Sequence, residues 1–170
     1  SPAPPANTGT VGNRDQDYPV ITAAVLNVAA GTLTVSGHVG AVGGSPAFSG
    51  STVELFQGNN VPADQAGEVY LGDAATTPHP EGQDFLGTCT VSAAGTFSGC
   101  VIAVNSTNVL SNPLLTSTAT LGHATSEFGP VFTAVVLGSI TGTVYLDSSL
   151  TPLAGVTVTL YDSLGSVVTA

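Results

Sequence analysis

Two cysteines, Cys89 and Cys100, are the residues of this chain whose type and spacing point most directly to covalent chemistry. A turn at 93–95 lies midway between them, and folding the chain there sets them opposite each other on adjacent antiparallel strands. Cysteines placed in this way are within reach of a disulfide, which over so short a loop contributes about 2–3 kcal/mol. Two buried free thiols are the alternative. The rest of the chain is typical of an extracellular protein, which favours the disulfide.

The chain has three histidines, His38, His79 and His123. No two of them form an H-x-x-H pair, so a zinc site would need ligands that converge from distant segments. We therefore expect the histidines to face solvent. The spacing of Asn13, Asp15 and Asp17 resembles that of calcium ligands, but the glycine and bidentate glutamate that complete a calcium loop are missing. These three residues are interpreted as part of a polar linker, and no metal or cofactor is expected.

Acid–base and nucleophilic catalysis are also considered. Four carboxylates could pair as in a glycosidase: Glu68, Asp73, Glu81 and Asp84. They lie in predicted loops, where water solvates them and the burial that activates a catalytic pair is absent. Serine is abundant, but no G-x-S-x-G motif places one on a nucleophile elbow. The chain is therefore not expected to be an enzyme. The triplet 105–107 (N-S-T) is an N-glycosylation acceptor sequence, which indicates an exposed loop.

The composition excludes several classes of partner. Charged residues make up 7% of the 170 residues, Arg14 is the one cation, and the net charge is −10. Nucleic acids and anionic lipids both need clustered lysine and arginine, so neither is expected to bind. Mean hydropathy is +0.39, yet no apolar run reaches the roughly 18 residues that span a bilayer. No membrane insertion is expected, and stability must come from apolar burial and backbone ladders.

The apolar residues occur in short stretches rich in Val, Thr, Ala and Leu, which favour β-strands. Strands are predicted at 20–26, 33–39, 53–55, 69–71, 85–91, 96–102, 115–121 and 128–136, and they are separated by loops rich in Gly and Pro. The strands at 85–91 and 96–102 are predicted to pair as a hairpin. Since no 3.6-residue apolar period is found, helix content is expected to be near zero.

These elements predict an all-β chain with three parts. Residues 1–17 read as an extended arm or linker because they are rich in proline and show no alternation. Residues 18–136 have the strand number and spacing of a β-sandwich. Residues 137–170 contain three predicted strands, at 140–145, 156–161 and 166–169, which are too few to enclose a core.

Several motifs of the second part resemble, in order, those of an Ig-like β-sandwich found in large bacterial surface proteins, often after a parallel β-helix. The matching segments are 18–22 (Y-P-V-I-T), 34–37 (T-V-S-G), 53–56 (V-E-L-F), 81–87 (E-G-Q-D-F-L-G), 94–98 (A-G-T-F-S), 118–120 (T-A-T) and 124–128 (A-T-S-E-F). The resemblance implies an Ig-like sandwich that acts as a structural module without catalytic residues. The chain departs from it at Ala93 and Ala94, where the family has an acidic turn, and in expanded loops at 40–50 and 58–82.

The third part resembles the beginning of a transthyretin-like or collagen-binding-B-type repeat of surface adhesins. The matching segments are 138–147 (G-S-I-T-G-T-V-Y-L-D) and 153–160 (L-A-G-V-T-V-T-L). Further strands follow in that family and are absent here, so the resemblance implies an incomplete second sandwich. Relatives that bind calcium have several Asp and Asn after the first strand, whereas this chain has only Asp147.

An incomplete sheet leaves an open edge and an apolar face that need cover. The three strands could pack on the first sandwich, the missing strands could lie in a part of the protein outside this sequence, or another copy could donate a strand, with the arm at 1–17 as the candidate donor.

The predicted assembly edge comprises Val156, Val158, Leu160 and Val167. We expect an extracellular or cell-surface structural protomer or spacer, secreted, whose partners are copies of itself in a filament or sheath built by strand complementation. The alternative is an adhesive module whose loops at 40–50 and 58–82 bind a glycan or another surface protein. Exposed aromatic residues there would favour adhesion, and the candidates are Phe48 and the nearby Tyr70.

Overall fold

The computed structural model describes residues 16–59, 79–138, 142–146, 151–161, 164 and 166–167. These residues form an all-β protein, which confirms the fold class predicted from the sequence. The chain divides into two units, Ser1–Gly138 and Ser139–Ala170. The predicted arm before residue 16, the predicted strand at 69–71 and most of the 58–82 loop lie outside the described residues.

The first unit contains two sheets. Its strands are β1 (Pro19–Asn27), β2 (Thr32–Val39), β3 (Thr52–Gly58), β4 (Gly82–Thr90), β5 (Thr96–Ala103), β6 (Leu114–Leu121), β7 (Ala124–Thr125), β8 (Phe132–Thr133) and β9 (Val135–Leu137). One sheet, called sheet A here, has the order β5-β2-β1-β9. The other, sheet B, has the order β4-β3-β6-β7, and β8 also pairs with β6.

Alternation along the strands places one face of each sheet in a common core. On β2, Leu33 and Val35 are fully buried while Thr32 and Thr34 are half-buried, as a strand with one covered face requires. Sheet A and sheet B contribute to a single cluster of buried side chains, in which Leu33 of β2 lies together with Leu55 of β3 and Leu115 of β6. The two sheets therefore cover each other as the layers of a β-sandwich do.

The predicted hairpin between β4 and β5 is wrong. A tight turn does connect these strands, because Gly95 adopts a φ of 81° and its N–H donates to the carbonyl of Ser92 at 3.0 Å. After the turn, however, the chain enters the other sheet: β4 pairs with β3, whereas β5 pairs with β2. Turn residues indicate that the chain reverses, but they do not determine whether the two strands pair or lie in opposite sheets.

The expectation of almost no helix is also corrected. A short helix, α1 (Ser106–Ser111), follows β5, and a 3-10 turn occupies Pro46–Phe48. Asn105 caps α1, since its side-chain oxygen accepts from the N–H groups of Thr107 and Asn108 at 3.2 and 3.4 Å. Val109 is buried in the core. A helix this short has too few residues to show an apolar period, so only the cap could have indicated it.

The second unit contains less regular structure than predicted. Its described strands are β10 (Tyr145–Leu146) and β11 (Thr151–Pro152), which pair antiparallel, and a single bridge joins Tyr161 to Val167. The predicted strand at 156–161 is not formed: residues 156–160 belong to no strand, and Tyr161 takes part only in the single bridge. The apolar side chains there are exposed, so they lack the packing that normally stabilises a ladder.

Candidate functional site

The Cys89–Cys100 disulfide that the sequence predicts is present and joins sheet A to sheet B. Cys89 on β4 lies opposite Val53 of β3, and Cys100 on β5 lies opposite Val35 of β2. The Cα atoms of the cysteines are 6.0 Å apart, which is closer than the roughly 10 Å between packed sheets. The sandwich is therefore narrow on this side, where the bond links two strands that do not pair with each other.

The described part of the first unit begins and ends on neighbouring strands of sheet A. β1 pairs in parallel with β9, with Val25 opposite Val135 and Asn27 opposite Leu137. The chain enters β1 at Pro19 and leaves β9 next to Asn27, the last residue of β1. Pro19 and Asn27 are eight residues apart on one strand, so the entry and exit points are separated by about 26 Å. Because the two strands run in the same direction, pulling the entry and exit points apart slides β1 along β9.

The histidines and carboxylates do not converge on a site within the described residues. His123 is exposed as expected, but His38 is buried and its Nδ1 lies 3.2 Å from the carbonyl of Gly40. His79 is half-buried, with Nδ1 2.8 Å from the carbonyl of Phe128. The expectation that all three face solvent is thus corrected for two of them. His38 lies within β2 and is 8% exposed, and the ring of His79 packs edge-on against Tyr18 at a centroid distance of 4.9 Å.

Among the described residues, no three His, Cys, Asp or Glu side chains lie close enough to hold a metal ion. Of the four carboxylates considered for catalysis, Glu81 and Asp84 are exposed, while Glu68 and Asp73 lie outside the described residues. Asn13 and Asp15 also lie outside them. That this chain is not an enzyme therefore stays a prediction from the sequence.

The four residues of the predicted assembly edge are Val156, Val158, Leu160 and Val167. All four are exposed, Val158 to 74%. Val167 takes part in the bridge to Tyr161, and the other three lie in no strand. Their backbone is thus not part of a described ladder, and their role in assembly stays a prediction.

The loop at 40–50 does not expose the aromatic side chain that was expected to favour binding of a ligand. Phe48 is half-buried and packs against the core, with its ring close to Gly40. The large apolar side chain that this loop exposes is Val42. Tyr70 lies outside the described residues, so the adhesive alternative rests on a loop that is mostly undescribed.

An aromatic cluster on sheet B was not predicted. Phe56 of β3 makes edge-to-face contacts with Phe85 and Phe128, at ring-centroid distances of 5.7 and 5.6 Å. Gly82 allows this approach, because a side chain there would overlap Phe56 and Phe128. The three phenylalanines come from three separate segments. Only the pairing register of β3 with β4, which sets Phe56 opposite Phe85, brings two of them together.

Comparison with known proteins adds no assignment. No protein-family model matches the chain, and no solved structure matches it closely enough to count as similar. The resemblances to the Ig-like module and to the adhesin repeat therefore stay predictions carried by the motifs, while the strand-rich fold is compatible with an Ig-like sandwich. None of the helices in the described part of the chain is long and apolar enough to cross a membrane.

Proposed function

We propose that this chain is a structural spacer module of an extracellular microbial surface assembly. The observation that carries the proposal is the parallel pairing of β1 with β9, the strands by which the described chain enters and leaves the first unit. A spacer in a surface protein is pulled at its two ends. In this geometry the load acts along both strands, so every hydrogen bond between them resists at once rather than one after another.

The disulfide supports the same role and an extracellular location. Disulfides persist in oxidising compartments, and the bond between Cys89 and Cys100 ties sheet A to sheet B. Because the bond links β4 to β5 and not β1 to β9, it holds the two sheets together while the tension between β1 and β9 is still carried by their own hydrogen bonds. A module with this arrangement keeps both sheets together while its ends carry tension.

The proposal is tested by single-molecule pulling of the full chain through its two termini. Val136→Pro removes a backbone N–H and imposes a fixed φ in β9, next to Leu26 of β1. The unfolding force of the first unit is expected to fall well below that of the unaltered chain.

The matched control is Val42→Pro. Val42 is the second residue of a turn in which the N–H of Gly44 donates to the carbonyl of Ala41 at 2.8 Å and Gly43 has a φ of 91°. Proline suits the second position of such a turn, so the unfolding force should be unchanged. Equal forces for Val136→Pro and the unaltered chain would refute the mechanical role of the β1–β9 pair.

A filament or sheath built by strand complementation is a further form of this proposal. The observation in its favour is the exposure of Val156, Val158 and Leu160 in backbone that belongs to no described strand. A strand donated by another copy could pair there and cover these side chains.

A further inference from the structure

Sheet A is built without charged residues. Its strands, β1, β2, β5 and β9, contain no Asp, Glu, Lys or Arg. The described carboxylates of the first unit are Asp17, Glu54, Glu81, Asp84 and Glu127. Glu54 and Asp84 lie on strands of sheet B, and Glu81 and Glu127 lie beside its strands β4 and β7. In the described first unit, four of these five carboxylates thus lie on or beside strands of sheet B. Asp17 lies two residues before β1 of sheet A, at the opposite end of that strand from Val25 and Asn27.

The outer face of sheet A is instead lined by valines and threonines. The strand register places Val101, Thr34, Val25 and Val135 in one row across the sheet, and Ala103, Thr32, Asn27 and Leu137 in the next. The neighbouring residues Leu26, Leu33 and Ile102 point into the core and are buried. The two rows therefore lie on the outside, and Val101 is 64% exposed, Val135 60% and Leu137 51%.

A face of this kind favours contact with another neutral, partly apolar surface. Covering exposed valine and leucine side chains lowers the free energy, because it removes apolar surface from water. Contiguous apolar patches on soluble proteins commonly mark interaction sites. The threonine hydroxyls between the valines can donate and accept hydrogen bonds across an interface. No charge has to be desolvated, so covering this face does not incur the penalty of burying an ion.

We propose that the outer face of sheet A docks on the same face of a second copy of this chain. The net charge of −10 makes copies repel each other in most orientations. Two copies that meet through sheet A hold the described carboxylates of sheet B on their far sides, where repulsion is weakest. Such a contact is isologous, since each copy contributes the same rows of residues.

The size of the face predicts a weak association. Four strands are roughly 15 Å wide and eight residues about 25 Å long, so each copy offers roughly 350 Å², less than the about 800 Å² of a typical stable interface. Dimerisation is therefore expected only at high concentrations of the chain. The contact becomes effective when several modules are aligned side by side, because the second contact is then intramolecular. This inference does not depend on the mechanical role proposed for β1 and β9.

The test is sedimentation equilibrium of the full chain from about 1 micromolar to about 1 millimolar, with two variants that each add one negative charge. Val101→Glu places a carboxylate on the outer face of sheet A, and in a two-fold dimer it does so twice. Thr90→Glu is the matched control, because Thr90 is exposed on β4 at the opposite face of the sandwich. Val101→Glu should weaken dimerisation at least about tenfold, whereas Thr90→Glu should leave it nearly unchanged.

Thermal melts of both variants establish that they are folded. A third variant, Val101→Thr, keeps a branched side chain without adding charge, and it should weaken the dimer less than Val101→Glu does. A chain that stays monomeric over the whole range overturns the proposal. So does equal weakening by Val101→Glu and Thr90→Glu. If monomers show the sheet A face protected from chemical labelling, something other than a second copy covers it, and the proposal is likewise overturned. None of these results bears on the pulling experiment, which reports the β1–β9 pair.

Discussion

Gly95 lies where the 40–50 loop meets the turn between β4 and β5. The carbonyl of Gly95 accepts from the N–H of Val39 at 2.9 Å, and a side chain at this position would overlap the backbone of Ser45. Gly50 has almost the same backbone conformation, with φ 79° against 81°, but open space around it. The two glycines separate the cost of a left-handed backbone from the cost of a steric overlap.

Gly95→Ala is therefore expected to destabilise the fold more than Gly50→Ala. The backbone strain of alanine at positive φ costs about 1–2 kcal/mol in both variants. The overlap with Ser45 should bring the total for Gly95→Ala above about 3 kcal/mol, since main-chain atoms cannot move aside as a flexible side chain can. Urea unfolding with comparison of midpoints and slopes measures both values. Equal losses would mean that the 40–50 loop shifts at no cost.

At the scale of elements, side chains hold α1 and the end of β3 together. Gln57 of β3 donates from Nε2 to the carbonyls of Asn108 and Asn112 at 3.0 and 2.7 Å, and Asn112 returns a bond to the carbonyl of Gly58 at 2.8 Å. Gln57 is buried, and these contacts satisfy the two N–H donors of its amide. The disulfide is another link between elements that do not pair, because it connects β4 to β5 across the two sheets.

Removing the disulfide is expected to lower the free energy of unfolding by about 2–3 kcal/mol, the low end of the range because the closed loop is short. The double variant Cys89→Ala with Cys100→Ala also loses side-chain volume at Cys89, which is buried, so it should be less stable than the reduced unaltered chain. Urea unfolding of the oxidised chain, the reduced chain and the double variant separates the crosslink from the packing. If reduction leaves the unfolding midpoint unchanged, the bond does not stabilise the sandwich.

At the scale of the whole molecule, the two units differ in how much apolar surface they bury. The core cluster is drawn entirely from residues between Ile21 and Ala134 of the first unit. In the second unit the described residues are exposed, including Val156, Val158 and Leu160. The proposed strand complementation would give these residues the cover that their own unit does not provide.

If strand complementation occurs, electron microscopy of the concentrated full chain is expected to show filaments, and Val158→Lys should abolish them by placing a charge in the donated ladder. Val42→Lys is the matched control, because Val42 is exposed to 72% and Val158 to 74%, while Val42 lies in a loop of the first unit. Particles of monomer size alone, or filaments that survive Val158→Lys, would rule out this form of assembly.

The sequence by itself determined the all-β class, the disulfide partners and the positions of β1 to β6. The predicted strand at 128–136 is instead two short strands, β8 and β9, and β7 was not predicted. The correct predictions follow from local signals: a period of two in the side chains, turn residues such as Gly95, and the presence of only two cysteines. Alternation also indicated which residues of β2 face the core, because it depends only on the pleat of the strand.

The tertiary structure alone decided which strands pair. Residues on either side of a turn have the same local pattern whether their strands form a hairpin or enter opposite sheets, so the separation of β4 from β5 required the partners β3 and β2, which come from earlier parts of the chain. The neutral face of sheet A arose in the same way. The scarcity of charge is visible in the composition, but the placement of Glu54 and Asp84 on sheet B, away from Val101 and Val135, depends on long-range pairing, which no local pattern encodes.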